Sequence, residues 1–318
     1  MGGAPIESSD LHSYYSSNTH IRHATSAREV FKETRIFNAF DPSKMKLPRE
    51  ALDSNLSPKS RPIILAEDTT GSMDWALLEI IRDQFPDLIN LIYKTASYNP
   101  HIMFMGIGDV AAYDEAPLQV TQFETDLRIL DQLQKIWIEG CGGGNGSESY
   151  ILAWYFAAKH TYVDSWEKRR EKGFIFTFGD DGPTLSLNKG EIKRVFGDND
   201  NLEVYSITNK DCLEMASEKF NCYHIILHGA AYSRYHVNDW KDLMGSHVCD
   251  LSDYKCMPEL VTTILKMYEG KTKTEAINEI SNAHKKSIVA KALEYHEEVV
   301  EQSNNSDSTE ENANIEVL

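Results

Sequence analysis

The strongest constraint on the fold is a series of short apolar runs, each followed by a stretch with helical spacing. "PIILAE" (62–67), "HIMFMGIGD" (101–109), "GFIFTFGDD" (173–181), "NLEVYSIT" (201–208) and "NCYHIILHG" (221–229) read as core strands. Runs that are apolar without alternation suit strands buried on both faces. After the first run, Leu78, Ile81, Phe85, Leu88 and Ile92 recur every three or four residues, the stripe of an amphipathic helix. Pro86 interrupts that stripe and predicts a kink or a second helix start. "LQVTQF" (118–123) reads as an edge strand, and "ETDLRILDQLQKI" (124–136) as a helix. "YILAWYFAAKH" (150–160), apolar all round, reads as a buried helix. "KDCLEMASEKF" (210–220) is the crossover helix between the last two runs. "HVNDWKDLMGSHVCDLS" (236–252) and "PELVTTILKMYEG" (258–270) close the pattern as helical segments. Strands joined by helical crossovers imply an α/β, doubly wound, mostly parallel central sheet with helices on both faces.

Three regions follow from the pattern. Residues 1–59 form an irregular N-terminal extension, of which the first 25 or so are mobile or draped over the surface, and "REVFKETRIFNAF" (28–40) is a helix or turn. Residues 60–268 hold the alternating domain. Residues 269–318 form a polar helix followed by an acidic, disordered tail. Lys and Arg number 32 against 49 Asp and Glu, a formal charge of −17, which disfavours nucleic acid and anionic lipid as partners. The five scattered cysteines include no C-x-x-C pair, so they read as reduced thiols rather than a zinc site. Neither a signal-peptide pattern nor a membrane-length apolar segment is visible, and the expected location is cytoplasmic.

In an open doubly wound sheet, ligands sit beyond the carboxyl ends of the strands, where strand order reverses. Three polar loops belong at that rim: "DTTGSM" (68–73), "GCGGGNGSESY" (140–150) and "GDDGP" (179–183). They offer the carboxylates of Asp68, Glu148 and Asp180 and the hydroxyls of Thr70 and Ser72, and no Cys or His belongs to that set. An all-oxygen set suits Mg²⁺, or Mn²⁺ or Ca²⁺, rather than zinc or copper. Asp and Ser in this position also serve as helix caps, which is the plain structural alternative. His224 and His228, on or just after an apolar strand, read as core or edge histidines, and Trp75 as a ligand-flanking or packing residue.

The pattern D-x-T-x-S-M after a first strand, the Gly-rich second loop and the G-D after "FTF" together resemble the von Willebrand factor type A (VWA) family and its metal-ion-dependent adhesion site. The resemblance spans roughly residues 60–268 and is greatest to stand-alone bacterial or phage A domains. It implies a Rossmann-like fold with Asp68, Thr70 and Ser72 as first-loop ligands, Glu148 in the second loop and Asp180 in the third. Asn145 falls where one branch of the family has an Asp serving an adjacent ion, and Asp181 lies a register away from the third-loop acid. The resemblance also implies a protein-binding module rather than an enzyme. A partner carboxylate would take the open coordination position, and an AAA+ ATPase or a multiprotein assembly would be the setting. Two other readings remain at this point: a metal-assisted hydrolase or phosphatase, for which no general base stands out, and a vestigial A domain without metal.

Overall fold

The computed structural model describes residues 6–140, 146–200, 202–228 and 235–297. Cys141 and Asn145, and the acidic tail from 298 onward, lie outside those residues, as does the side chain of Trp75.

Six strands form the central sheet: β1 (Ser60–Asp68), β2 (Asn99–Ile107), β3 (Leu118–Val120), β4 (Gly173–Gly179), β5 (Phe220–Leu227) and β6 (Val248–Leu251). Their spatial order is β6-β5-β4-β1-β2-β3, parallel throughout except for the antiparallel edge strand β3. Chain order reverses between β1 and β4, so the crevice above their carboxyl ends is the topological switch point.

The helices that cover the sheet include α1 (Asp74–Glu79), α2 (Phe85–Thr95), α3 (Ile151–His160), α4 (Asn209–Lys219), α5 (Val237–Met244) and α6 (Met257–Met267). Alternation along β1 divides the core in two. Ile63 and Leu65 join Met73, Ala76, Leu88, Ile92, Val261 and Ile264 on the face under α1, α2 and α6. Ile64 and Ala66 join Tyr150, Trp154, Phe156, Ala216 and Trp240 on the face under α3, α4 and α5. A strand buried on both sides needs apolar residues at successive positions, which explains the unalternating runs.

Local chemistry sets the element ends. Between α1 and α2 the chain makes one π-helical turn, Ile80–Gln84, and Pro86 then sits in the first turn of α2. Proline has no N–H to donate to the preceding turn, so the ladder is broken there and restarts. Thr208 caps α4 reciprocally with Asp211. At Gly173 a Cβ would stand 2.5 Å from Pro62 Cγ and 2.7 Å from Pro62 O, so the start of β4 can lie against β1 only without a side chain.

Four expectations are corrected. The segment before residue 25 is helical, Ser8–Ser17 and Thr19–His23, and anchors through buried Leu11 and Ile21. "NLEVYSIT" is not a core strand. Ser206–Thr208 pairs antiparallel with Ser186–Asn188 in a separate ribbon, and Val204 and Tyr205 are exposed, so β-branched composition did not mean burial there. "SHVCDLS", assigned to a helix, instead supplies β6, in which buried Val248, Cys249 and Leu251 pair along β5. The polar helix after residue 270 is two helices, Lys273–Asn278 and Ala283–Ala292, split by "EISN" and packed through Ala276, Val289 and Leu293.

The N-terminal extension is tied down by polar contacts. Buried Arg49 donates to the carbonyls of Ala39 and Val120, and Asp53 accepts from Ser60 Oγ and Arg169, both at 2.6 Å. Among the described residues no helix is long and apolar enough to cross a membrane.

The core assignment gives a contrast in stability. Leu65→Ala, fully buried in the central strand, is expected to cost about 2–5 kcal/mol. Val204→Ser, 56 % exposed, should stay within about 0.5 kcal/mol. Urea unfolding of the two variants checks both, and similar losses would mean the ribbon belongs to the core after all.

Candidate metal centre

β1 delivers the first loop. Its last residue, Asp68, is fully buried and lies on the α3 side of the sheet, in step with Ile64 and Ala66. Both its carboxylate oxygens are taken. Oδ1 accepts from Thr70 N at 2.9 Å and Thr70 Oγ1 at 2.7 Å, and Oδ2 accepts from the Tyr150 hydroxyl at 2.7 Å. The chain then runs on: Thr70 Oγ1 lies 3.1 Å from Ser72 Oγ, which donates to Asp180 Oδ1 at 2.9 Å. Asp68, Thr70, Ser72 and Asp180, 112 residues apart at the extremes, therefore form one line of polar contacts across the switch point.

Glu148 is brought to the same rim by a two-residue strand, Ser147–Glu148, which pairs with Gly182–Pro183 of the third loop. Thr184 Oγ1 donates to Glu148 O at 2.8 Å, and Ser149 Oγ donates to Asp109 Oδ1 at 3.3 Å, so the second loop is fastened on both sides. Of the five residues expected at the site, four are joined directly. Glu148 lies beside them, close enough that the Asp68 charge acts on it. Asp181, a register away, contributes its backbone carbonyl to Trp240 Nε1 at 2.9 Å.

The electrostatics are those of acids crowded out of water. Burial pushes the Asp68 carboxyl up to about 7, against the lowering effect of its Thr70 and Tyr150 hydrogen bonds. Glu148 is pushed up to about 10, by burial first and then by the charges of Asp68, Asp109, Asp181 and Asp114. Asp180 is raised by burial, and His236 works in the opposite direction. Glu67, the residue before Asp68, is raised well above the carboxylate range by burial and by the Asp68 and Asp180 charges. Four oxygens in this group are buried without a hydrogen-bond partner: Glu67 Oε1 and Oε2, Glu148 Oε2 and Asp180 Oδ2.

Three residues of this centre were not singled out from the sequence. Tyr150 opens α3, and its ring rests edge-on against His224 and Trp240, with centroids 5.0 and 5.3 Å away. Its hydroxyl occupies the space above Gly179, where a Cβ would fall 1.8 Å from it. Trp240 stacks on His224 at 3.5 Å, and His224 in turn pairs with Thr177 Oγ1 at 2.8 Å, so the core reading of His224 agrees with its position. The available signal was a tyrosine entering an all-apolar helix, since a buried phenol needs a partner. Glu67 was visible as an acid inside an apolar run.

The donor set is carboxylates and hydroxyls, so it fits a hard divalent cation, and the partnerless oxygens of Glu148 and Asp180 are what such an ion would satisfy. Among the described residues no three His, Cys, Asp or Glu side chains gather as a ligand group.

No family model matches the chain, and no curated protein matches it. Among solved structures it is similar to the pilus adhesin SpaC from Lactobacillus rhamnosus GG in its open conformation. That match has 12 % identity and a TM-score of 0.43, and covers 76 % of this chain and 31 % of the adhesin. A second form of the same adhesin gives 11 % identity and a TM-score of 0.45, with 76 % and 32 % covered. The chain thus spans about a third of the adhesin's length.

The Tyr150–Gly179 contact makes a coupled prediction. Tyr150→Phe should cost about 1.5–3 kcal/mol, the range for a hydrogen bond to a charged group. Gly179→Ala should cost more, and the double variant should recover only part of the sum, because losing the hydroxyl removes the 1.8 Å clash while the ring carbons stay 2.7 and 2.9 Å from the methyl. Strict additivity in denaturant unfolding would show that the two positions do not share that space.

Proposed function

We propose that this chain is a VWA-type, metal-dependent protein-binding module, with a divalent cation held at the sheet rim by Thr70, Ser72, Glu148, Asp68 and Asp180. The observation that carries the reading is a pair of hydrogen bonds, Thr70 to Asp68 and Ser72 to Asp180, whose two hydroxyl oxygens lie 3.1 Å apart. Each hydroxyl has a single proton. Thr70 gives its proton to Asp68 and Ser72 gives its proton to Asp180, which leaves oxygen lone pairs for a cation. Thr70 and Ser72 are therefore set as acceptors toward the ion, and Asp68 and Asp180 hold them in that orientation. Glu148 and Asp180 each add an oxygen that nothing in the protein satisfies.

A bound Mg²⁺, Mn²⁺ or Ca²⁺ would offset the local negative charge and offer a coordination position to a partner's carboxylate. With a chain charge of −17, an acidic partner would be repelled elsewhere on the surface, although screening over about 8 Å limits the range of that repulsion. The partner class that fits is a protein presenting an exposed Asp or Glu, such as a component of an AAA+ ATPase or a multiprotein assembly. A cytoplasmic setting is consistent with the buried free thiols Cys212, Cys222, Cys249 and Cys256.

Titration calorimetry with Mg²⁺ and Mn²⁺ tests the reading. Wild type should bind one ion, and Ser72→Ala and Asp68→Ala should each weaken binding by about 10-fold or more. Absence of both metal heat and a thermal shift in wild type would overturn it.

The pH dependence follows with a definite sign. Asp68 and Glu148 have folded pKa values raised above the unfolded carboxylate range of about 4. Their contribution to metal-free stability is thus fully present below that range and is lost as pH rises through the folded values. The melting temperature in EDTA should fall between about pH 5 and pH 8. The increment given by Mg²⁺ should grow over the same interval, since the ion binds the deprotonated acids. An increment that shrinks with rising pH would contradict the assignment of these acids.

A further inference from the structure

The loop that leaves β2 at its carboxyl end, residues 108–117, opens onto the same rim as Asp68, because β1 and β2 run parallel. Tyr113 lies in this loop with a φ of 67° and is 80 % exposed. A bulky residue in the left-handed region is strained, and an exposed ring gains little burial in return. Arg194, exposed on the helix Lys189–Phe196, lays its guanidinium over the Tyr113 ring, 5.0 Å from the centroid. Its Nη2 donates to the carbonyl of Val110. Val110 ties the pair to the metal-centre loops, since its own N–H donates to Ser149 Oγ at 2.9 Å and Ser149 directly follows Glu148. The Val110 contact uses one side of a guanidinium that has five N–H donors. Among the described residues no ion pair takes up the Arg194 charge. Asp114 feels that charge but commits its Oδ2 to Asp109 N at 2.8 Å. Lys193, one position earlier, is paired with Asp198.

We propose that Tyr113 and Arg194 form a second contact for the protein partner, taking an acidic side chain that flanks the carboxylate bound at the cation. The inference rests on the metal-binding reading above and narrows its partner to a protein segment carrying at least two acidic residues. Charge complementarity selects that occupant. The acids of the rim repel such a segment until a cation is in place, and Arg194 then supplies a further positive charge beside it. A guanidinium offers its N–H groups as a fork that matches a carboxylate, and stacking on Tyr113 holds the fork in one orientation. The left-handed turn at Tyr113 brings the ring to the guanidinium, so the strain is offset by a contact already organised for binding.

The probe is a fluorescein-labelled oligo-aspartate peptide, titrated by anisotropy against the full chain in Mg²⁺, in Mn²⁺ and in EDTA, beside calorimetry with the metal alone. Wild type is expected to bind the peptide with either ion and to lose it in EDTA. Arg194→Gln should weaken the peptide about 10-fold. Lys193→Gln, the same charge change one residue away, should stay within about twofold, because Lys193 is already paired with Asp198. Tyr113→Gly removes the ring and suits the left-handed backbone, so it should weaken the peptide about 5-fold while melting no lower than wild type. An unchanged Kd in Arg194→Gln or in Tyr113→Gly overturns the inference. Equal losses in Arg194→Gln and Lys193→Gln also overturn it, because diffuse charge would then account for both. A wild type that binds metal but not the peptide, or binds the peptide equally in EDTA, overturns it and leaves the metal site standing. Absence of metal binding in wild type overturns both readings.

Discussion

The structure depends on one carboxylate being tolerable where it is. Asp68 ends the central strand with no exposed surface, and an ion so placed loses hydration worth several kcal/mol. Three donors from two loops replace that water: Thr70 N, Thr70 Oγ1 and the Tyr150 hydroxyl. Hydrogen bonds to a charged group contribute about 1.5–3 kcal/mol each, so the set offsets part of the penalty, and burial still leaves the Asp68 carboxyl raised to about 7. The same bonds have a geometric effect. They fix the first loop to the start of α3, and the second loop cannot move without disturbing Asp68.

From that point the fastening extends outward. Tyr150 fits over Gly179 and leans on Trp240, which donates to the Asp181 carbonyl in the third loop. The third loop pairs with Ser147–Glu148, and Ser149 reaches back to Asp109 beyond β2. Every loop above the switch point is therefore tied to another by a buried polar contact. Contacts of this kind, supported by stacked aromatic rings, hold acidic side chains near one another despite their repulsion.

Much of the architecture was legible in the sequence because burial on both faces leaves an unambiguous trace. "PIILAE", "HIMFMGIGD" and "GFIFTFGDD" are apolar at successive positions, and all three are core strands. The errors share a cause. "NLEVYSIT" has strand composition, but only Ser206–Thr208 pairs, in a two-stranded ribbon, and exposed Val204 and Tyr205 lie in the bend before it. β6 was hidden because its four residues follow a helix with only a short turn between, and short apolar runs do not declare their period. At the rim, the order of acids and hydroxyls along three loops was readable, and the coordinates bring Asp68, Thr70, Ser72 and Asp180 into one line. Tyr150 and Trp240 were not readable, since their roles come from packing between segments distant in sequence.

The two consecutive acids at the end of β1 stand on opposite faces of the sheet. A one-residue step turns the side chain to the other face, so Asp68 and Glu67 meet different surroundings from adjacent positions. On the α3 side, phenol and hydroxyl donors satisfy Asp68 completely. On the other side Glu67 lies in register with Phe178 and Gly106, whose Cβ position is closed by Ile136, Thr69 and Gln119, and no hydrogen bond satisfies it. A fold selected for stability alone would place an apolar residue there, because the neighbouring positions Ile63 and Leu65 already do so. The asymmetry is therefore informative. The satisfied acid organises the loop, and the oxygens of Glu67, Asp180 and Glu148 that lack a hydrogen-bond partner mark where the described residues leave buried polar groups uncompensated.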